Sequence, residues 1–272
     1  MQGRAHRGRG RATGLLLAAL VAGCAAEPPP PGLGVRIEQS RDNENRHLLQ
    51  VVLTNDGPEP VEVVHLQLRA PGFVDVPPTV RSDVVRTGQR TAFPVAYGAA
   101  DCGERGTARV LLGYRAGGEL REAELAVPPD DPLLPRLHAR ECALAELARA
   151  ARIAFAPGWR REGDAAVGEL VVRRRSGREP VTLTSLEGTV VFTLRTHTPL
   201  PVRLEQREVT VGVRVTASRC DAHALIESKR SYDFPWYAAL GPAEPLYGTA
   251  RPDAAGRAVL EELLLDTCRP AP

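Results

Sequence analysis

Cys220 and His223 stand three positions apart in RCDAHA, and a thiol beside an imidazole is a metal-ligand pairing. Structural zinc takes four ligands, and this run offers two, so the spacing favours a disulfide cysteine over a metal site. Met1 is the single methionine, which excludes a soft Met/His copper site. His47, His65 and His197 are isolated in sequence and read as surface or turn residues. No serine sits in Gly-x-Ser-x-Gly, and neither His-Glu-x-x-His nor a phosphate-cradling glycine loop occurs. The sequence therefore gives no positive support for an enzyme, and it carries no cofactor motif. Two other runs attract attention. Arg173, Arg174, Arg175 and Arg178 form a dense basic stretch that could meet anionic head groups or wall polymers, at about 1 kcal/mol per charge near such a surface. The plainer reading is a solvated strand end. In SYDFPWYAAL, Trp236 and Tyr237 are candidate partner contacts, because aromatics dominate interface hot spots. The alternative is that Tyr232, Phe234 and Trp236 alternate into a core, leaving Tyr237 on the other face.

Charge does not point to nucleic acid. The 35 basic residues, all arginine except Lys229, exceed the 33 acidic ones, but Arg4, Arg7, Arg9 and Arg11 all precede Cys24. Without them the balance turns slightly acidic, so no nucleic-acid partner is expected.

Those four arginines open a segment with the order of an export signal. An apolar run of eight residues follows, Leu15–Ala22, and then Gly23 and Cys24. Eight residues rise about 12 Å as a helix, against roughly 30 Å of bilayer core, so this run is read as a signal and not a span. Val21-Ala22-Gly23-Cys24 resembles the lipobox of bacterial lipoproteins. The resemblance implies that the Cys24 thiol receives a diacylglycerol and that cleavage before it leaves an acylated N-terminus. It places the chain outside the cytoplasm, held to the membrane through a lipid on Cys24. An ordinary secretory signal with an incidental cysteine is the plainer alternative. No adjacent arginine pair suggests twin-arginine export. Lipidation would account for the odd one of five cysteines, leaving Cys102, Cys142, Cys220 and Cys268 as an even set in an oxidising compartment. The run AAEPPPPGL, 25–33, then reads as a semi-rigid polyproline stalk.

The elements that would position these residues come twice. VVLTNDGPEPVEVVHL from Val51 matches VVRRRSGREPVTLTSL from Val171 at a constant offset of 120. Phe93, Val95 and Tyr97 face Val211, Val213 and Val215, one alternating strand face in each copy. Tyr114 and Tyr232 each follow their cysteine by twelve residues, and Leu133, Leu134 and Leu137 match Val259, Leu260 and Leu263. Aligned to the nearest cysteines, these put eight extra residues of the second copy between Tyr232 and Val259. Each copy reads mostly as strands, and in the first, short Val/Leu-rich runs near 34–40, 47–55, 61–69, 80–86, 91–97, 107–115 and 119–127 predict seven. The fold class is mainly β: two tandem antiparallel immunoglobulin-like sandwiches, 34–142 and 143–272, each closed by a short amphipathic helix and a disulfide. Bridges inside each copy, Cys102–Cys142 and Cys220–Cys268, are the one connectivity that treats both alike. Residues 143–151 fit either helix or strand. Functionally, the reading is a non-enzymatic surface module binding an envelope protein or polymer. The rivals are a small-ligand receptor at the domain junction and an enzyme without a recognisable motif.

Overall fold

Alternating valines and leucines separated by Gly/Pro/Asn turns become antiparallel strands in the computed structural model, which describes residues 28–40, 43, 46–104, 106–221, 223–224 and 230–269. Residues 1–27, with the expected signal segment, Cys24 and the start of the expected stalk, lie outside the described residues. The chain is mainly β and folds as two antiparallel sandwiches. In the first, β1 (Leu33–Glu38), β2 (Leu48–Asn55) and β5 (Gln89–Ala96) make one sheet in the order β1-β2-β5. β4 (Thr79–Val85), β3 (Val61–Arg69), β6 (Arg109–Ala116) and β7 (Glu119–Ala126) make the other in that order. The seven expected strands all form, each end within two residues. Leu49, Val51 and Leu53 face Val63, Leu66 and Leu112 across the core, all without solvent exposure.

The second sandwich repeats this plan. β8 (Ala151–Phe155), β10 (Ala165–Arg174) and β14 (Glu208–Ala217) stand for β1, β2 and β5, and β12 (Phe192–Thr196) extends the sheet beyond β14. The short β9 (Arg160–Glu162) pairs with β10. β13 (Val202–Leu204), β11 (Val181–Leu186), β15 (Phe234–Leu240) and β16 (Leu246–Ala250) repeat the order β4-β3-β6-β7. The repeat reaches irregularities: β3 bulges between Val63 and His65, and β11 bulges between Leu183 and Ser185. Both bulges lie at the offset read from the sequence, and a bulge is a specific feature of a strand pair. Phe93, Val95 and Tyr97 are buried, as are Val211, Val213 and Val215.

The register corrects one equivalence. Val63 pairs with Tyr114, while Leu183, its counterpart, pairs with Ala238 and not with Tyr232. Leu112 accordingly matches Trp236, and Val110 matches Phe234. Cys102 precedes Val110 by eight residues, whereas Cys220 precedes Phe234 by fourteen. Six of the additional residues therefore fall before β15 and not in the β15–β16 hairpin, where the spacing from the cysteines had put all eight. Aligning on the nearest cysteine assumed an ungapped approach to the strand, and the extra length sits in that approach.

One closing cysteine lies within a helix and the other caps the end of one. α1 (Leu133–Ala150) has 18 residues, so it is not short, and it runs unbroken through Cys142. Leu133, Leu134 and Leu137 join the first core, whereas Leu147 and Ala150 join the second. The expected boundary between 142 and 143 thus falls inside a helix. Residues 143–150 are helical, and β8 begins at Ala151 without a loop. A helix end needs partners for its last carbonyls, and the turn after β10 supplies them. The Arg175 and Ser176 amides donate to the Ala150 carbonyl, and the Ser176 hydroxyl donates to that of Arg149 at 2.7 Å. α2 (Ala254–Thr267) starts from Asp253, whose carboxylate accepts the Gly256 amide at 2.8 Å, an N-cap. Trp159 slots between α2 and β10, where a Cβ on Gly256 or Gly168 would come within 2.5 or 2.6 Å of its ring. The bridges are Cys102–Cys142 and Cys220–Cys268, with Cα separations of 5.7 and 5.1 Å, inside each copy as expected.

Candidate functional site

The duplication provides an internal control, because features found on one sandwich and missing from its twin are not required by the fold. The outer faces of the two four-stranded sheets differ in this way. On the first, His65, Gly113 and Glu122 stand in one row across β3, β6 and β7. The His65 ring lies over Gly113, and its Nε2 is 3.1 Å from Glu122. Glu62 and Arg115 pair at 3.5 Å, and Arg109 and Glu124 at 3.0 Å. This face is charged, and its charges neutralise one another across strands.

The same row on the second sandwich is Ser185, Tyr237 and Tyr247. Tyr237 sits where the twin has glycine, and Tyr247 where it has glutamate. The two rings meet edge to face, with centroids 5.6 Å apart and an interplanar angle of 66°. Tyr247 is 39% exposed. Pro235 and Thr249 form the next row, and the Thr184 hydroxyl donates to the Tyr237 carbonyl at 3.1 Å. Burial pushes the Tyr247 phenol above its ordinary value; Arg230 opposes this, while Tyr237, Asp233 and Glu187 add to it. The hydroxyl therefore stays protonated, able both to donate and to accept. The result is an aromatic, hydroxyl-bearing central row where the twin has an ion pair, with a single ion pair, Asp233 with Arg251, two residues beyond Pro235 and Thr249.

No protein-family model and no curated protein matches the chain. Among solved structures, it is similar to a red sea bream transglutaminase at 12% identity and a TM-score of 0.23, over 81% of this chain and 31% of that one. It is also similar to the CsuC–CsuE chaperone–tip adhesion subunit pre-assembly complex of Acinetobacter baumannii, at 11% identity and a TM-score of 0.18, over 79% of this chain and 94% of that one. The chain thus spans about a third of the transglutaminase, and at these scores neither likeness bears on its function.

The residues singled out from sequence divide between faces. Alternation holds along β15: Phe234, Trp236 and Ala238 turn to the core, and Tyr237 turns outward. Trp236 packs partly buried against the second core, its ring pressed on Gly248 of the neighbouring strand, where a Cβ would come within 2.1 Å. Of the two candidate contacts, only Tyr237 belongs to the outer strip. Its partner Tyr247 stands alone in EPLYGTA and meets Tyr237 only through the strand register, so no local sequence signal marks it.

The arginine stretch is largely occupied by the fold. Arg173 pairs with Glu208, and Arg174 donates to the Glu179 and Leu204 carbonyls at 2.8 and 2.9 Å. Arg175 donates to the Ala148 carbonyl at 3.1 Å, where a cation also suits the negative end of α1. Arg178 is exposed in the turn. Three of the four thus have structural work, which favours the strand-end reading. Cys220 is bridged, and among the described residues no group of three or more His, Cys, Asp or Glu could hold a metal. His47 and His197 are exposed, His47 in a turn at a φ of 50°. An open depression of about 290 Å³ lies where α1 ends, lined by Glu146, Arg149, Glu179 and Leu240 among others. Its lining belongs to α1 and the second sandwich.

Proposed function

We propose that the chain is a lipid-anchored extracytoplasmic module, without catalysis of its own, that binds an envelope protein or polymer through the outer face of its second sandwich. The observation that carries this reading is the contrast between equivalent rows, His65–Gly113–Glu122 against Ser185–Tyr237–Tyr247. A solvent-facing sheet is well served by cross-strand ion pairs, and the first sandwich has them. The second keeps one such pair, Asp233 with Arg251, at the end of the face, but its central row holds aromatic side chains in their place, which offer large, rigid contact area to a partner. The anchor rests on the residues before Cys24, and two bridges suit an oxidising compartment. A receptor for a small ligand at the junction has less support, since the depression beside α1 is open and lined by charges.

The test is a crosslinking pull-down from intact cells, comparing wild type with Tyr237→Ala and Tyr247→Ala. Recovery of a surface partner should fall by at least about 2 kcal/mol of binding, some thirtyfold, with the melting temperature nearly unchanged. Cys24→Ser should lose lipid labelling and partition out of the detergent phase. Equal recovery by both tyrosine variants would remove the binding face, and equal labelling of Cys24→Ser would remove the anchor.

A further inference from the structure

We infer that the Cys102–Cys142 bridge is a site of thiol–disulfide exchange, opened by attack on Cys102, with His138 positioned to hold the departing Cys142 sulfur. Cys102 is exposed in the loop after β5, whereas Cys142 is half-buried on α1, so an incoming thiol reaches Cys102 first. His138 precedes Cys142 by four residues, one turn of the same helix face. Its Nε2 lies 3.0 Å from the Asp101 carbonyl oxygen and 3.6 Å from Cys142 Sγ. A carbonyl can only accept, so Nε2 carries the proton, and the sulfur lies within reach of the same N–H.

The ring is held there by packing from a second segment. Phe73 meets it edge to face at 5.6 Å. Gly72, at a φ of +94°, leaves the space the ring occupies; a Cβ there would come within 2.8 Å of it. A fixed donor beside a disulfide sulfur gains little in the closed state, because that sulfur is a weak acceptor. A thiolate is a strong one, so the donor acts mainly when the bond breaks, and lowering the pKa of the leaving thiol speeds exchange.

The electrons balance with a thiol as the second reactant. The thiolate of a small thiol or a protein dithiol attacks Cys102 Sγ and forms a mixed disulfide with it. The Cys102–Cys142 bond breaks, and its electron pair goes to Cys142 Sγ, which accepts the hydrogen bond from His138 Nε2–H. A second thiol then attacks the mixed disulfide, releasing the oxidised reagent and leaving both cysteines reduced. Opening removes the covalent tie between the loop after β5 and α1.

The probe is glutathione at neutral pH on the full chain, with timed alkylation and peptide mapping of both bridges. Cys102–Cys142 should open about tenfold faster than Cys220–Cys268, with the first glutathione adduct on Cys102. His138→Phe should slow that opening about tenfold and leave Cys220–Cys268 unchanged, and His138→Gln, which keeps an N–H donor, should fall between. A purely structural role has the opposite sign, because a loosened loop exposes its bridge and opens faster. Faster or unchanged opening in His138→Phe would overturn the inference. So would an adduct forming first on Cys142, or wild-type opening no faster than that of the other bridge.

Discussion

Phe234→Ala should destabilise the second sandwich by about 3–5 kcal/mol, among the largest losses a single substitution in this chain can cause. Phe234 has no solvent exposure and lies between Phe155 and Phe192, with ring centroids 5.5 and 6.2 Å away. Its strand is hydrogen-bonded on both sides, to β11 and β16, so the backbone cannot settle into the space the ring leaves. Urea unfolding of the full chain measures the loss. Tyr232→Ala is the control, because Tyr232 is half-buried and stacks under the Arg257 guanidinium at 4.8 Å. It should cost clearly less. If Tyr232→Ala proves the more damaging, Tyr232 and not Phe234 occupies the core position, and the register that equates Phe234 with Val110 fails.

Replacing Cys220 and Cys268 together by serine should cost about 4 kcal/mol, since the bridge closes a loop with a sequence separation of 48 residues. The loss arises in the unfolded chain, whose ends are released. The folded second sandwich should keep its shape, because Leu260 and Leu263 still seat α2 in the core. Circular dichroism should therefore be unchanged at low temperature while the melting temperature drops. Combined with Phe234→Ala, the loss reaches the range of a whole domain's stability, about 5–15 kcal/mol, and the second sandwich should be largely unfolded at room temperature. A double-serine variant that melts with wild type would show that the bridge adds nothing the core does not supply.

Strand positions, both bridges and the duplication are legible in the sequence because each rests on local patterning. Period-two alternation in Phe93–Tyr97 and Val211–Val215 marks a buried strand face whatever its partner. The offset of 120 between Val63 and Leu183 even carries the bulge. What stays hidden depends on pairing. The Tyr237–Tyr247 contact needs the register of β15 on β16, and nothing near Tyr247 announces it. The use of Arg175 as a donor depends on where α1 ends, and that of Arg174 on the approach of β13, so their run looks like free surface charge. The Tyr114/Tyr232 equivalence fails for a related reason: counting from a cysteine ignores the loop between. The alternation Phe234, Trp236, Ala238 against Val110, Leu112, Tyr114 would have set the register correctly. β9 and β12 have no counterpart in the first copy, so the repeat could not call for them.

Because α1 passes from one core into the other with no loop at either end of its second half, the two sandwiches are geared together by helical phase. A flexible linker would absorb an insertion; this helix cannot. One alanine added between Cys142 and Leu147 would advance the second sandwich by about 1.5 Å and turn it by about 100° relative to the first. Seven added residues would return it nearly to its original bearing, about 10 Å farther out. The compass heading of the Tyr237–Tyr247 strip relative to the first sandwich is thus written in the residue count of a single helix.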